Sequence, residues 1–218
     1  WYTNHADYLA HHINRQWVAA SLRFEEAFRE GGGKRFVGLG TCLEYDVANA
    51  NGPCVENETP LRPETLYARC KLALFEALAK RGGDFAWARI FFVYGPGDRS
   101  GRLIPTMIDR FARGEEAGPT FGGLRRDYVH VDDLAGQIVR IALSGVHGAI
   151  NTGTGDAPTL SEIFAAGAAA FGRSSLALAN DQTGGQPPII QAGMPPFRPE
   201  VGESEARPLV TGLKELAG

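Results

Sequence analysis

Two short runs, Arg35-Phe36-Val37-Gly38-Leu39-Gly40 and Phe85-Ala86-Trp87-Ala88-Arg89-Ile90-Phe91-Phe92-Val93, are apolar at nearly every position and flank a stretch with helical periodicity. A strand with one wet face alternates apolar and polar residues, whereas a parallel strand covered on both faces reads as a nearly continuous apolar run. Parallel neighbours cannot be joined by a hairpin and need a crossover, which the stretch between the runs supplies. It is predicted to be helical from Pro63 and Glu64, a good first turn, to about Lys80, where Gly82-Gly83 stops it. Strand, helix and strand in this order imply an α/β chain with a parallel sheet.

The remaining pattern extends this alternation. Leu9, Ile13, Trp17, Ala20, Leu22 and Phe28 recur at helical spacing from Asp7 to Glu30, before Gly31-Gly32-Gly33 ends the run. Residues 46–62 are rich in Asn, Pro and Glu and read as a loop. A helix is expected over 103–113, an alternating strand over 128–131, and a helix opened by Asp132 or Asp133 as N-cap and closed near Gly145. A further strand precedes Asn151-Thr152-Gly153-Thr154-Gly155, and Thr159 with Glu162 forms a capping box for a helix ending near Phe171. Beyond Ser174 the pattern weakens into a Pro/Gly-rich tail, and there is no internal repeat.

In open parallel sheets ligands collect beyond the carboxyl ends of the strands. That rule places Thr41 and the Tyr94–Gly97 turn on one rim, with the 63–80 helix crossing between them. Tyr67 and Lys71 lie four apart on that helix and so share a face. A phenol, whose ordinary pKa is about 10, becomes a usable base only when a nearby cation stabilises its phenolate, and Lys71 is the expected cation. Thr41 would hold the reacting hydroxyl in line.

Composition narrows the classes. The chain has 218 residues, 44% of them hydrophobic, enough for a medium domain or a domain and a half with a real core. A net charge of -3 argues against broad nucleic-acid binding. No apolar run approaches the ~20 residues that span a bilayer, and no basic segment leads into an apolar one, so no membrane is expected and the expected location is cytoplasmic. Cys42, Cys54 and Cys70 have no C-x-x-C spacing, which suggests neither a disulfide framework nor zinc. His5, His11 and His12 lack a carboxylate arrangement typical of metal sites, and no metal site is expected. Glu115-Glu116 reads as a solvated patch, and Asn151–Gly155 as a structural turn, since it lacks a third glycine and Asp156 would repel phosphate.

Several motifs agree in order with one family. Gly40-Thr41-Cys42-Leu43-Glu44-Tyr45, Pro63 with Tyr67 to Lys71, Arg89–Gly97, Arg102-Leu103-Ile104-Pro105, Arg126-Asp127-Tyr128-Val129-His130-Val131-Asp132-Asp133 and Asn151–Gly155 resemble the successive signatures of one group of enzymes. These are the extended short-chain dehydrogenases/reductases of the NAD-dependent epimerase/dehydratase family, which mostly act on nucleotide sugars. The resemblance covers roughly residues 7–165 and implies a Rossmann-type parallel sheet. Residues 1–98 would form the C-terminal part of the NAD(P)-binding domain with the catalytic helix, and 99–218 mainly the nucleotide-sugar region, with segments interleaved with the sheet. By the same resemblance Thr41, Tyr67 and Lys71 are catalytic, and Tyr67, Lys71 and Phe91 hold NAD or NADP. Thr41, Phe92, Leu103 and Arg126 contact substrate, and the helices at 7–30 and 63–80 pair two copies into a homodimer. Arg126 suits a diphosphate because its guanidinium stays charged and offers paired donors, although outside the signature it reads as a surface partner of Asp127 or Asp133.

The departures matter as well. Cys70 stands where the family usually has Ser before the catalytic Lys, and Phe92 where a substrate-contacting Asn is frequent. Cys42-Leu43 replaces the Asp-Glu that follows the catalytic Thr in 4,6-dehydratases, which disfavours that reaction. Nothing resembles the G-x-x-G-x-x-G loop that holds a cofactor pyrophosphate, nor the strand end that separates NAD from NADP. In the family's order Trp1 falls just after the fourth strand, so the chain is expected to be a piece lacking most of its cofactor half. An oxidoreductase of a steroid-like or phenolic alcohol, and a non-catalytic protein of the same fold, stay open as alternatives.

Overall fold

The computed structural model describes residues 1–2, 4, 6–50, 52–98, 101–194 and 206–217. In chain order these form helix α1 (Asn14–Glu30), strand β1 (Arg35–Thr41), helix α2 (Leu66–Arg81), strands β2 (Asp84–Ile90) and β3 (Phe92–Tyr94), and helix α3 (Leu103–Ala112). Strands β4 (Arg125–Arg126) and β5 (Tyr128–His130), helix α4 (Val131–Leu143), strand β6 (Gly148–Thr152), helix α5 (Leu160–Ala170), strand β7 (Ile189–Ile190) and helix α6 (Leu209–Ala217) follow. The main sheet has the order β1-β2-β6 and is parallel throughout, as the apolar runs require. Its register sets Thr41 opposite Ile90, and Ile90 opposite Thr152, so all three lie at the carboxyl rim.

The central strand sorts its side chains by size. Phe85 and Trp87 face α2 and join Leu74 and Leu78, while Ala86 and Ala88 face α4 and join Ile141 and Ile150. Trp87 reaches sideways across β1. A Cβ on Gly38 would lie 2.3 Å from its ring, and one on Gly40 would lie 2.2 Å from its Nε1. The two glycines in an otherwise apolar strand therefore make room for a neighbouring indole.

Several boundaries differ from the sequence expectation, each for a local reason. The first helix starts at Asn14 rather than near Asp7, because Asn14 Nδ2 donates to Tyr8 O (2.7 Å) and Tyr67 N–H donates to Leu9 O (3.0 Å), which folds residues 6–12 into turns over α2. His5 lies outside the described residues. Helix α2 begins at Leu66, not Pro63, with Thr65 Oγ1 accepting from Ala68 N–H (3.2 Å) as its cap. The run 85–93 is two strands. At Phe91 and Phe92 the backbone N–H groups go to Thr152 O and Asp127 O in turn, and the chain leaves the main sheet to pair β3 with β5. Helix α4 is capped by His130, whose Nδ1 accepts from Asp132 N–H (3.3 Å), while Asp132 and Asp133 occupy its first turn. The Thr159–Glu162 capping box forms as read.

Helix α6 has no counterpart in the sequence reading of the tail. Leu213 is fully buried with Tyr94, Ile104 and Phe111, and Arg207 ties the preceding turn to Asp133. Leu213→Ala in the full protein is expected to lower unfolding free energy by about 2–5 kcal/mol, the usual range for emptying a packed leucine site. A urea midpoint equal to the parent's would show that α6 does not dock there.

Candidate active site

The end of β1 turns sharply and carries Thr41 onto the rim. Thr41 keeps an extended backbone and caps a single 3-10 turn, Cys42–Glu44, through a reciprocal capping box. Thr41 N–H donates to Glu44 Oε1 (2.9 Å), and Leu43 N–H donates to Thr41 Oγ1 (3.4 Å). This folds Glu44 inward, where it has no exposed surface. There its carboxylate receives Trp87 Nε1 (3.1 Å) and Arg89 Nε (2.8 Å). Burial pushes the Glu44 carboxyl above its ordinary range, while Arg89 and the N–H donors oppose that shift.

Tyr67 and Lys71 stand on the same face of α2, as their spacing requires. Lys71 is buried and its Nζ donates to Leu39 O (2.7 Å), lying 4.0 Å from the Trp1 ring centre and 5.7 Å from that of Tyr67. Burial lowers the Lys71 pKa to about 8, with Glu44 pulling the other way. Tyr67 corrects the sequence expectation. Its phenol is pushed well above the ordinary range, first by burial and then by Tyr8, Cys42 and Glu44, and Lys71 does not depress it. The helical spacing sets the shared face, but the ammonium donates to a backbone carbonyl and not to the phenol.

Thr41, Tyr67, Phe91 and Phe92 all line one cavity of about 380 Å³, together with Tyr8, Cys42 and Arg102. An adjoining cavity of about 460 Å³ shares Tyr8, Phe92 and Arg102 and is lined by Leu103 and Arg110. Lys71 lines neither of these two cavities. Arg126 also lines neither of them; its guanidinium lies 5.9 Å from the Phe92 ring centre, with Nη1 donating to Arg125 O (2.8 Å) and Pro187 O (2.9 Å). Neither Asp127 nor Asp133 is the surface partner of Arg126. Asp127 binds the N–H groups of Thr154, Gly155 and Ala192, so Gly153–Gly155 is a structural turn while Asn151 and Thr152, read as part of that turn, are the last residues of β6, and Asp133 binds Arg207.

Sequence reasoning missed Tyr8 and Arg102. Tyr8 was absorbed into a helix that starts later, and its ring packs edge-on against Tyr67 at 5.3 Å. Arg102 opens the Arg102–Pro105 motif, and a cation just ahead of α3 and beyond the strand ends is a usable signal. Among the described residues no group of three His, Cys, Asp or Glu could hold a metal ion, and no helix is long and apolar enough to cross a membrane.

Comparison with known proteins gives this geometry a setting. The family model described as "NAD dependent epimerase/dehydratase family" matches residues 6–153. The CDP-abequose synthase of Salmonella muenchen is 30% identical over 79 residues, 35% of this chain and 27% of that protein. The UDP-N-acetylglucosamine 4-epimerase of Methanobrevibacter ruminantium M1, solved with UDP-N-acetylmuramic acid, is similar in fold, with a TM-score of 0.76 at 22% identity over 91% of this chain and 66% of that one. The UDP-glucose 4-epimerase of Thermus thermophilus, solved with NAD, gives a TM-score of 0.68 at 25% identity over 88% and 67%. The chain thus spans about two thirds of these solved relatives and about a quarter of the synthase.

Lys71 supplies a pH test. Its folded pKa of about 8 lies below the ordinary 10.5, so between those values the unfolded chain binds more protons than the folded one and stability rises with pH. The unfolding free energy of the parent minus that of Lys71→Met should climb across that window, by up to about 1.4 kcal/mol per pH unit. A difference that stays flat would contradict the burial of a charged amine.

Proposed function

The chain belongs to the NAD dependent epimerase/dehydratase family, and on that premise we propose that the full protein is an NAD(P)-dependent enzyme acting at a hydroxyl-bearing carbon of a nucleotide sugar. The observation that carries this reading is the convergence of Thr41 and Tyr67 on one cavity at the carboxyl rim of a parallel sheet, with Lys71 Nζ 5.7 Å from the Tyr67 ring centre. The site's donors fit the ribose end of a nicotinamide nucleotide. Among the described residues the Lys71 ammonium gives one hydrogen bond, to Leu39 O, and so keeps two protons for ribose hydroxyls. Lys71, Tyr67 and Phe91 would hold that end. When bound, NAD(P) accepts or returns a hydride at the reacting carbon.

The protein's own part is proton handling and positioning. Thr41 and Tyr67 bracket the hydroxyl, and Tyr67 takes its proton in the oxidative direction or supplies one to the keto oxygen in the reverse. With its pKa raised, the phenol is protonated at neutral pH and ready as a donor. Acting as a base requires the Lys71 ammonium to turn from Leu39 O toward the phenol. Cys42 and Leu43 line the cavity after Thr41, and burial keeps the Cys42 thiol protonated. Oxidation, reduction or epimerisation therefore fits this wall better than 4,6-elimination.

The same reading assigns residues 1–98 to the cofactor side and 99–218 mainly to the sugar side, with β6 returning to the main sheet. Arg126 would bind the diphosphate, and Phe92 and Leu103 the sugar nucleotide. A homodimer would use α1 and α2, where Trp17 and Phe24 are exposed apolar residues of α1. All three cysteines are free and buried, which suits a cytoplasmic, reducing location.

Tyr67→Phe in the full protein should lower turnover by about 10²- to 10⁴-fold while nucleotide-sugar affinity is kept. Unchanged turnover would overturn the assignment. In a parallel titration, Arg126→Ala should weaken UDP- or dTDP-sugar binding by about 1.5–3 kcal/mol, whereas a non-sugar alcohol enzyme would show no such dependence.

A further inference from the structure

We propose that Glu44 is a positioning residue for Thr41, a buried carboxylate that fixes, through the Thr41 backbone N–H, where the Thr41 hydroxyl stands on the cavity wall. This rests on the hydroxyl chemistry proposed above and adds to it a part that no motif assigns.

The geometry makes the carboxylate a fixed post. Glu44 and Arg89 are both buried, and donors from the end of β1 and from β2 meet at the two carboxylate oxygens. Arg89 is itself anchored. Its Nη1 donates to Tyr45 OH (3.2 Å), Tyr45 OH donates to Asn151 Oδ1 (2.7 Å), and Asn151 Nδ2 donates to Cys54 O (2.7 Å). A polar chain thus runs from Thr41 beneath the carboxyl ends of β1, β2 and β6. The strand is shaped around it, since a Cβ on Gly40 would lie 2.6 Å from Glu44 Oε1.

Stability alone is a poor reason for such a pair. A buried ion pair replaced by well-packed apolar residues is often neutral or stabilising. What this pair holds that apolar packing could not is a directed bond to the backbone of Thr41, at the point where the chain turns from strand into cavity wall. Small displacements of a reacting group are costly, and a shift of about 1 Å can lower rate 10²-fold.

The fixed charge also reaches the proton-handling residues. The titratable and charged groups facing Glu44 are Arg89 of β2, Tyr67 and Lys71 of α2, and Cys42 of its own turn. The Glu44 charge raises the pKa of Tyr67 and of Lys71 alike. Removing it should move the alkaline limb of the turnover profile to lower pH.

The test is Glu44→Gln in the full protein, alone and combined with Thr41→Ala. The expected result is a fall in kcat of about 10- to 100-fold, with KM for nucleotide sugar and affinity for NAD(P) within about twofold, the alkaline limb shifted down, and little further loss in the Thr41→Ala background. Amide hydrogen exchange at Thr41 should quicken, a readout independent of turnover. If Glu44→Gln does not fold, Glu44→Asp serves, because it keeps the charge for Arg89 while drawing the carboxylate back from Thr41 N–H. An unchanged kcat, an equal loss in the Thr41→Ala background, or unaltered Thr41 exchange would overturn the proposal. A parent protein that turns over no nucleotide sugar, yet whose Thr41 exchange responds to Glu44→Gln, would instead sink the function and leave the positioning intact.

Discussion

A glutamate with no exposed surface, Glu44, pairs with an equally buried Arg89 beneath the carboxyl ends of the strands, and the candidate site is assembled around that pair. The carboxylate closes the capping box that turns β1 into the cavity wall, and the guanidinium ties β2 to the loop that follows. Trp87 completes the unit by crossing Gly38 and Gly40 to reach the same carboxylate. Removing one charge while leaving the other buried costs roughly 3–5 kcal/mol, so the two must be kept or lost together.

Above this foundation the cavity wall is more apolar than polar. Burial governs the site's ionisation, holding Tyr67 protonated and bringing the Lys71 amine toward neutrality. In this state the amine is engaged with Leu39 O and the Trp1 ring, so in the proposed reaction proton abstraction by Tyr67 would require a rearrangement of one lysine side chain and proton donation would not.

The parts legible in the sequence were those fixed by local pattern. Continuous apolar runs gave the parallel strands, and the motifs around Thr41 and Tyr67 singled out two residues that line one cavity. What the sequence hid depended on where a side chain or backbone group found its partner. An apolar run does not say that its last residues will join a different sheet, as Phe92 to Tyr94 do. Helical spacing put Lys71 beside Tyr67 but did not show that its ammonium would go to a carbonyl. Residues 6–12 looked helical until Asn14 and Tyr67 captured their carbonyls, and that capture is what places Tyr8 in the cavity. Helix α6 follows a Pro/Gly-rich stretch that masks a short amphipathic segment, and only its packing against Tyr94 and Phe111 reveals it.

The proposed activity works a hydroxyl of a nucleotide sugar against a nicotinamide cofactor. The most direct measurement is single-turnover spectroscopy of the full protein with NAD(P), mixed with a panel of nucleotide sugars and their keto forms. The expected result is a sugar-dependent rise or fall in reduced-nicotinamide absorbance that is abolished in the Thr41→Ala, Tyr67→Phe double variant. An absorbance change that persists in the double variant, or none with any nucleotide sugar, would contradict it.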